Sequence, residues 1–374
     1  MDSSFKDRAV LLTGATGFIG ERLAQTLIEE HGARVTAAVR DPARAARLRE
    51  LGARIERADL KKARDLERLV AGQDTVFHVA HDFNRGAKYN LRVFENLADA
   101  CSVHGVRRLV YVSSIAVYDD WPVGDFAETS PARAQGHDYK NAKMAVEQEL
   151  RRRVQEDGLD AVIIQPTIVY GPKGWMWTDR IVEQLMTGTV ILPDLGRGKC
   201  NAVYVDDVVS AMVLAATCSD QAGEAFIVSG KEPVTWGELF GAYAEALGVE
   251  AIGFVDPNDE PPEDSSFAGK VKTVLRNPMV LANWRPVQRL VGALRSLIGD
   301  KAIQRLRDVV KRSGDRGAPA IYYPNAGDML LYRMNGRCSI DKARERLGYE
   351  PAFDFAEGSA QTAAYIKARY IEVS

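Results

Sequence analysis

The sequence has none of the features that mark several classes of protein. Its 374 residues contain four scattered cysteines and no CxxC pair, which excludes a disulfide framework and a cysteine zinc site. The five histidines show neither metal-ligand spacing nor an HExxH motif, so no metal site is predicted. The net charge of −2 argues against nucleic acid as a partner.

Long apolar runs are also missing. No stretch approaches the roughly 20 apolar residues of a membrane-spanning helix, so no integral membrane segment is predicted. The first residues, MDSSFKDRAVLLTG, lack the charged start and long apolar run of a secretory signal. From these two observations we expect a soluble cytoplasmic protein.

The first half of the chain alternates short apolar runs with amphipathic ones. The strand-like runs are AVLL, RVTAAV, RIERADL, TVFHVA, RLVYVSS and AVIIQP, and helical runs such as GERLAQTLIEEHG and NLRVFENLADACSVHG separate them. This alternation predicts an α/β protein in which helices cover both faces of a parallel sheet. We therefore expect a doubly wound Rossmann fold, followed by a smaller C-terminal substrate-binding lobe.

The alternation of strand-like and helical runs ends after about residue 170, and the domain boundaries are predicted from this change. The predicted NADP-binding Rossmann domain covers 1–170, with later returns near 201–229; the substrate-binding lobe covers 171–200 and 230–374. In that lobe GPKGWMWTDR is predicted to be a loop, 256–266 an acidic, proline-rich connector, and 270–312 a basic helical insertion, with contact to an anionic membrane surface as the alternative.

A glycine-rich turn, VLLTGATGFIG, joins the first strand to the first helix. Gly14 permits a tight turn, Gly17 lets the backbone approach a pyrophosphate, and Gly20 allows close helix packing. The phosphates would lie at the positive end of the helix. The spacing G-x-x-G-x-x-G departs from G-x-G-x-x-G, but its place after the first strand predicts a dinucleotide site.

The end of the second strand indicates which dinucleotide binds. Enzymes that bind NAD place an acidic residue there, whereas this chain has Arg40. Asp41 is predicted to cap the next helix. Arg40, with Arg44 or Arg47 assisting, could hold a 2′-phosphate, although a solvated arginine is the alternative. We therefore favour NADP (NADPH), with NAD possible.

A further segment, DYKNAKMAVEQEL, places Tyr139 and Lys143 four residues apart on a predicted helix. Positions i and i+4 share a helix face, so the phenol and the ammonium can reach one target together. A surface helix that starts with an aromatic residue is the alternative.

These motifs together resemble the extended short-chain dehydrogenases/reductases, the family of dihydroflavonol reductases, 3β-hydroxysteroid dehydrogenases and nucleotide-sugar epimerases. The likeness covers about residues 10–215 and rests on TGATGFIG, ADL, VFHVA, YVSSIAVY, YKNAK, QPTIVYGP and YVDDVV in that order. The resemblance implies cofactor contacts at Thr13, Gly14, Thr16, Gly17, Phe18, Ile19, Gly20, Arg40, Asp59, Leu60, Ala80, Lys143, Pro166 and Thr167.

The resemblance also implies a catalytic site. Tyr139 would be the acid or base for the substrate oxygen, Lys143 would bind the nicotinamide ribose and lower the pKa of Tyr139, and Ser114 would bond the same substrate oxygen. A free phenol has a pKa near 10, and a neighbouring ammonium lowers it. We prefer Ser114 to Ser113 because it lies four residues before Tyr118, as in the family.

Substrate contacts are expected at Ser114 and Tyr139 and at two tryptophans, Trp175 and Trp177. The tryptophans follow the sixth strand, where the family places substrate loops, but packing of the smaller lobe explains them equally. Trp121 has the same two interpretations.

Three other polar groups are interpreted as structural. His78 is expected in the core, and His81 in a loop rather than in the site. Asp206 and Asp207 are expected at a strand-to-helix turn, where one of them caps the helix.

Departures from the motifs of the family's dehydratases and epimerases favour oxidation or reduction as the reaction. Dehydratases of the family carry an Asp-Glu pair where Ile115 and Ala116 stand, and epimerases carry an arginine just before YVDD, where this chain has none. We predict an NADP(H)-dependent oxidoreductase that transfers a hydride between nicotinamide and a carbonyl or hydroxyl of a small-molecule substrate. A nucleotide-sugar epimerase with tightly held NAD and a non-catalytic NADP-binding sensor or scaffold are the alternatives.

A homodimer is predicted from the family's four-helix interface. The two helices involved would start near Asn90 and Tyr139. Val146 and Leu150 fit an apolar stripe at i and i+4, although their face could instead pack on the sheet.

Overall fold

The computed structural model describes residues 5–118, 124–133, 138–255 and 320–372. The predicted connector at 256–266, the basic region at 270–312 and Trp121 lie outside these residues. Within the described ranges, no helix is long and apolar enough to cross a bilayer.

The described residues form the strands β1 (Ala9–Thr13), β2 (Arg34–Val39), β3 (Arg54–Arg57), β4 (Thr75–His78), β5 (Arg108–Val112), β6 (Ala161–Pro166), β7 (Ile168–Tyr170), β8 (Gly188–Pro193), β9 (Ala202–Tyr204), β10 (Ala225–Val228), β11 (Ile252–Val255) and β12 (Ala320–Tyr322). Seven of them form the main parallel sheet, in the order β10-β6-β5-β4-β1-β2-β3. The strand order reverses between β1 and β4, which is where doubly wound sheets bind ligands.

Helices connect most of these strands and cover the sheet. They are α1 (Phe18–Glu29), α2 (Ala46–Glu50), α3 (Ala63–Val70), α4 (Ala87–Val103), α5 (Asp138–Asp157), α6 (Arg180–Thr187), α7 (Val205–Thr217), α8 (Trp236–Leu247), α9 (Ala326–Tyr332), α10 (Asp341–Leu347) and α11 (Phe355–Ile366).

Two apolar layers explain why the sheet forms. One layer buries the apolar faces of α1, α7 and α10, and the other buries those of α3, α4 and α5. Every residue of β4, β5 and β6 is buried, as expected for parallel strands with helices on both faces. The predicted doubly wound α/β fold is therefore confirmed.

Smaller sheets follow the Rossmann part. Strands β11, β8 and β12 form a three-stranded parallel sheet, and β7 pairs with β9. A third apolar cluster, which includes the fully buried Trp236, Phe240 and Tyr243, packs between these elements. The boundaries of a substrate-binding lobe in this region stay a prediction.

Two local predictions are wrong. The segment GPKGWMWTDR was predicted to be a loop, but Trp175–Asp179 forms a π-helical turn that continues into α6. This turn is stabilised by packing, because Thr178 is fully buried and accepts a hydrogen bond from the Gly171 backbone N–H at 3.2 Å. Short-range sequence signals do not include that contact.

Neither aspartate of YVDDVV caps α7. The N-cap is Tyr204, and both aspartates lie in the first helical turn. Asp206 forms an ion pair with Arg22 of α1, and Asp207 accepts hydrogen bonds from two backbone N–H groups near residue 352. The pair therefore ties α7 to neighbouring segments instead of capping it.

Candidate active site

The carboxyl ends of β1, β2, β4, β5 and β6 bring the candidate residues to one edge of the sheet. Gly14 follows β1, Arg40 follows β2, Ala80 lies just after β4, Ser114 just after β5, and Thr167 directly after β6. This edge, at the switch point of the strand order, is where a dinucleotide binds in such folds.

The glycine loop is pressed against the end of β4. Gly14 has a φ of +76°, and a Cβ there would lie 2.6 Å from the Ala80 backbone nitrogen. A Cβ at Gly20 would collide with the Gly14 carbonyl oxygen. Any side chain at these positions would push the loop off the sheet.

The N-terminus of α1 is accessible to a ligand. Gly17 is its N-cap and is exposed, and no side chain caps the helix. Amides of the first helical turn have no intrahelical partner, and the helix dipole is positive here. Phe18 and Ile19 are only half-buried. This cradle of backbone N–H groups fits a pyrophosphate.

Thr13 uses its hydroxyl inside the protein. Its Oγ1 lies 2.7 Å from His78 Nδ1, and both side chains are buried. His78 is thus a core residue, as predicted. Burial, with the charge of Lys143 as a smaller cause, lowers the pKa of His78 to about 3, so the ring is neutral.

Arg40 projects from the end of β2 into solvent. Its side chain is 73 % exposed and pairs with Asp82 at 3.1 Å. Asp41 accepts a hydrogen bond from the Ala43 N–H and caps the turn Pro42–Ala45, as predicted. Arg47 pairs with Glu50 at 3.4 Å.

Two further cofactor candidates lie on turns beside this edge. Asp59 is half-buried and caps its own turn, since its Oδ1 accepts from the Lys61 N–H at 3.1 Å; Leu60 is also half-buried. Thr167 is buried, and its hydroxyl donates to the Val228 carbonyl at 3.3 Å.

Ser114, Tyr139 and Lys143 come together between β5 and α5. Ser114 forms the N-cap of the turn Ile115–Val117 and lies close enough to the Tyr139 phenol to affect its pKa. The Lys143 ammonium donates to the Val112 carbonyl at 2.7 Å and lies 5.8 Å from the Tyr139 ring centroid. One helix face and one strand end thus hold all three groups.

The pKa values of Tyr139 and Lys143 differ from those expected from the sequence. Burial raises the pKa of Tyr139 above its usual value, although the neighbouring Ser114 hydroxyl lowers it. Burial also lowers the pKa of Lys143 to about 7, and only Glu147 opposes that change. The prediction that Lys143 lowers the pKa of Tyr139 is therefore wrong for this structure, since desolvation dominates.

An aromatic cluster missed by the sequence analysis surrounds Tyr139. The His81 ring meets the Tyr139 ring edge-on at 5.0 Å, and Phe83 stacks on Tyr139 at 5.4 Å with an interplanar angle of 15°. His81 is a loop residue, as expected, but it also contacts the candidate site, the interpretation that was not preferred. The only available signal was its position directly after Ala80.

A buried carboxylate, also missed, joins α5 to β5 and β6. Glu147 Oε1 accepts from Ser113 at 2.5 Å and from Gln165 at 2.8 Å, and Oε2 pairs with Arg151 at 3.1 Å. The sequence held a signal for it, since Tyr139, Lys143, Glu147 and Arg151 follow one another at i+4 on one face. Ser113 therefore turns away from the phenol that Ser114 approaches.

Glu147→Ala should lower the free energy of unfolding by roughly 3 kcal/mol, because it leaves buried polar partners without an acceptor. Urea denaturation measures this change. Glu147→Gln should lose less, since an amide oxygen still accepts from Ser113 and Gln165. Glu156→Gln, on the exposed side of the same helix, is the matched control and should change little; equal effects of Glu147→Ala and the control would contradict this role.

The two candidate substrate tryptophans lie in different surroundings. Trp177 packs against Trp236 at 5.3 Å, and its carbonyl accepts from the Tyr243 hydroxyl at 2.9 Å, so it takes part in packing around α8. Trp175 is 51 % exposed. Contact of either with a substrate stays a prediction.

Comparison with known proteins matches residues 10–229 to the NAD dependent epimerase/dehydratase family. A 2-alkyl-3-oxoalkanoate reductase of Stenotrophomonas maltophilia is 29% identical over 65% of this chain and 77% of its own. A 3-beta-hydroxysteroid dehydrogenase of Mycolicibacterium neoaurum is 26% identical over 95% of this chain and 90% of its own.

Solved structures agree on the fold. The UDP-glucose 4-epimerase of Thermotoga maritima, crystallised with UDP-glucose, has a TM-score of 0.67 and 21% identity, covering 96% of this chain and 99% of its own. With a family model across more than half of the chain and named dehydrogenases and reductases among its relatives, the protein is an enzyme of the NAD dependent epimerase/dehydratase family, a member of the extended short-chain dehydrogenases/reductases with an NAD(P)-binding Rossmann fold.

Proposed function

We propose that this enzyme is an NADP(H)-dependent oxidoreductase that reduces a carbonyl group of a small molecule, or oxidises the corresponding alcohol. The observation that carries the proposal is that Ser114, Tyr139 and Lys143 come together at the same edge of the sheet as the open N-terminus of α1. A phenol, a hydroxyl and an ammonium at this edge match the needs of proton transfer next to a bound nicotinamide.

Each of the three side chains has one task in this proposal. When bound, the nicotinamide supplies the hydride. Tyr139 gives its proton to the carbonyl oxygen as the carbon accepts the hydride, and Ser114 donates a hydrogen bond to the same oxygen. Lys143, whose ammonium donates to the Val112 carbonyl, would bind the nicotinamide ribose.

The raised pKa of Tyr139 is compatible with a role as general acid. Because burial keeps the phenol protonated at neutral pH, Tyr139 is ready to act as an acid. Reduction of a carbonyl needs that form, whereas oxidation of an alcohol needs the phenolate.

The cofactor would lie along the edge described above. The amides of the glycine loop would hold the pyrophosphate, Asp59 and Leu60 would border the adenine, and Ala80, Pro166 and Thr167 would line the path to the nicotinamide. Arg40 would bind the 2′-phosphate that distinguishes NADP from NAD, since its guanidinium is exposed and pairs with the carboxylate of Asp82 at the surface.

Arg40→Ala is expected to weaken NADPH binding by about 1.5–3 kcal/mol, roughly tenfold to a hundredfold, and to leave NADH binding nearly unchanged. Asp82→Asn should have the opposite effect on NADPH, because it removes the carboxylate that competes with the phosphate. Fluorescence titration of both cofactors measures these changes. Equal losses for NADPH and NADH would contradict the assignment of Arg40.

A direct experiment tests the reaction. Purified enzyme with NADPH is screened against carbonyl compounds while absorbance of NADPH is followed, with UDP-glucose as the substrate of the alternative epimerase reaction. Consumption of NADPH with a carbonyl compound supports the proposal. Conversion of UDP-glucose without net consumption of NADPH would refute it.

We also propose a homodimer, but not through the residues first considered. Val146 and Leu150 are buried against the sheet, so they offer no apolar surface to a partner. The exposed side of α5 instead carries charges, for example the pair of Arg153 with Asp99 of α4 at 2.7 Å. We expect a dimer mass by light scattering at micromolar concentration; a monomer mass would contradict the proposal.

A further inference from the structure

A large apolar side chain stands exposed beside the phenol of the candidate site. Phe83 is 70 % exposed, yet its ring stacks on Tyr139. It also meets His81 edge-on at 4.8 Å. An exposed phenyl ring gains free energy when an apolar ligand covers it, so its position next to Tyr139 points to the ligand of that site.

The turn that carries Phe83 is fixed by Asn90. The Asn90 side-chain amide donates to the carbonyls of Asp82 at 3.2 Å, Arg85 at 3.1 Å and Gly86 at 3.3 Å, and its carbonyl accepts from the Asp82 N–H at 3.0 Å. Asn90 is itself buried. The exposure of Phe83 therefore comes from a turn with four side-chain hydrogen bonds.

His81 adds an uncharged ring beside Phe83. Burial, with the charge of Lys143 and then His78 as smaller causes, lowers the pKa of His81 to about 3. The ring therefore carries no charge at neutral pH. Phe83 and His81 together present two uncharged rings on one side of Tyr139.

We infer that Phe83 and His81 form an apolar wall that receives an alkyl or aryl group next to the reacting carbonyl of the substrate. Phe83 is thus a specificity-determining residue, and the substrate is a hydrophobic carbonyl compound. A phenyl face offers the hydroxyls of a sugar no hydrogen-bond partner, whereas it buries methylene and aromatic carbons well. The inference rests on the proposed carbonyl reduction.

The test uses 2-alkanones from 2-butanone to 2-nonanone, with hydroxyacetone and dihydroxyacetone as polar carbonyls and NADPH as cofactor. For the wild type, kcat/KM should rise with chain length and exceed the values for the polar compounds. Phe83→Ala should lose about tenfold for the long ketones, so that the profile flattens. Phe83→Leu, which keeps an apolar surface, should retain part of the rise.

A control is Val103→Ala. Val103 is also an exposed apolar residue, at 75 %, but it lies at the C-terminal end of α4, the opposite end of that helix from the turn that carries Phe83, so its loss should leave the profile unchanged. NADPH titration and thermal melting confirm that each variant is folded.

The outcomes separate the inference from the function on which it rests. A Phe83→Ala profile as steep as that of the wild type, or a wild type that reduces only the polar carbonyls, would overturn the apolar wall and leave carbonyl reduction standing. A wild type that reduces none of these compounds but converts UDP-glucose would overturn both.

Discussion

Tyr139→Phe is expected to reduce carbonyl turnover by about 10²–10⁴-fold, because it removes the proton that a general acid contributes. The ring itself stays, so stacking on Phe83 and the edge contact with His81 should persist. Folding and NADPH binding should therefore match the wild type. Steady-state NADPH oxidation gives the turnover, and fluorescence titration gives the binding.

The pH dependence of the wild type provides an internal check. Since burial raises the pKa of Tyr139, the phenol is protonated at neutral pH. Loss of the Tyr139 proton should therefore lower reduction only when the pH exceeds the ordinary phenol value of about 10. The pKa of about 7 for Lys143 adds a separate change near neutral pH, because a neutral amine binds the cofactor less well. A folded Tyr139→Phe variant with near wild-type turnover would show that another group supplies the proton.

Lys143→Met should lower both turnover and cofactor affinity. The ammonium is buried, donates to the Val112 carbonyl and lies over the Tyr139 ring. In the proposed function it serves the ribose and the phenol together. Loss of a charged hydrogen bond to the ribose should weaken NADPH by about 1.5–3 kcal/mol. Titration calorimetry with NADPH and steady-state turnover measure the two effects.

Lys140 offers a matched control for this substitution. It lies one turn earlier on α5, and its ammonium donates to the Tyr118 carbonyl at 2.9 Å rather than to the end of β5. Lys140→Met should keep NADPH affinity within a small factor. If Lys143→Met binds NADPH as tightly as Lys140→Met does, the lysine has no role at the ribose.

Long periodic patterns made the fold predictable from the sequence. RVTAAV and AVIIQP coincide with β2 and β6, because buried parallel strands are continuous apolar runs between turns. RIERADL extended the third strand too far, since Ala58 and the residues after it turn toward α3. Strand ends depend on tertiary contacts that the sequence pattern does not show.

The site was predictable only where its chemistry follows chain spacing. The pair Tyr139 and Lys143 was found because i and i+4 share a helix face, and the same rule leads to Glu147. Phe83 was missed, because its approach to Tyr139 depends on how the turn after β4 folds around Asn90. The pKa of Tyr139 was also mispredicted, since neighbouring charges can be read from spacing whereas burial cannot.

The most direct measurement follows a deuterium label. NADPH carrying deuterium at both C4 positions of the nicotinamide is incubated with the enzyme and a carbonyl compound and, in a parallel sample, with UDP-glucose. The products are analysed by mass spectrometry together with the NADP⁺ that is formed. The account predicts an alcohol that contains deuterium from the cofactor, with one NADP⁺ formed per alcohol and almost none with Tyr139→Phe. Isomerised UDP-glucose without label and without net NADP⁺ would contradict it.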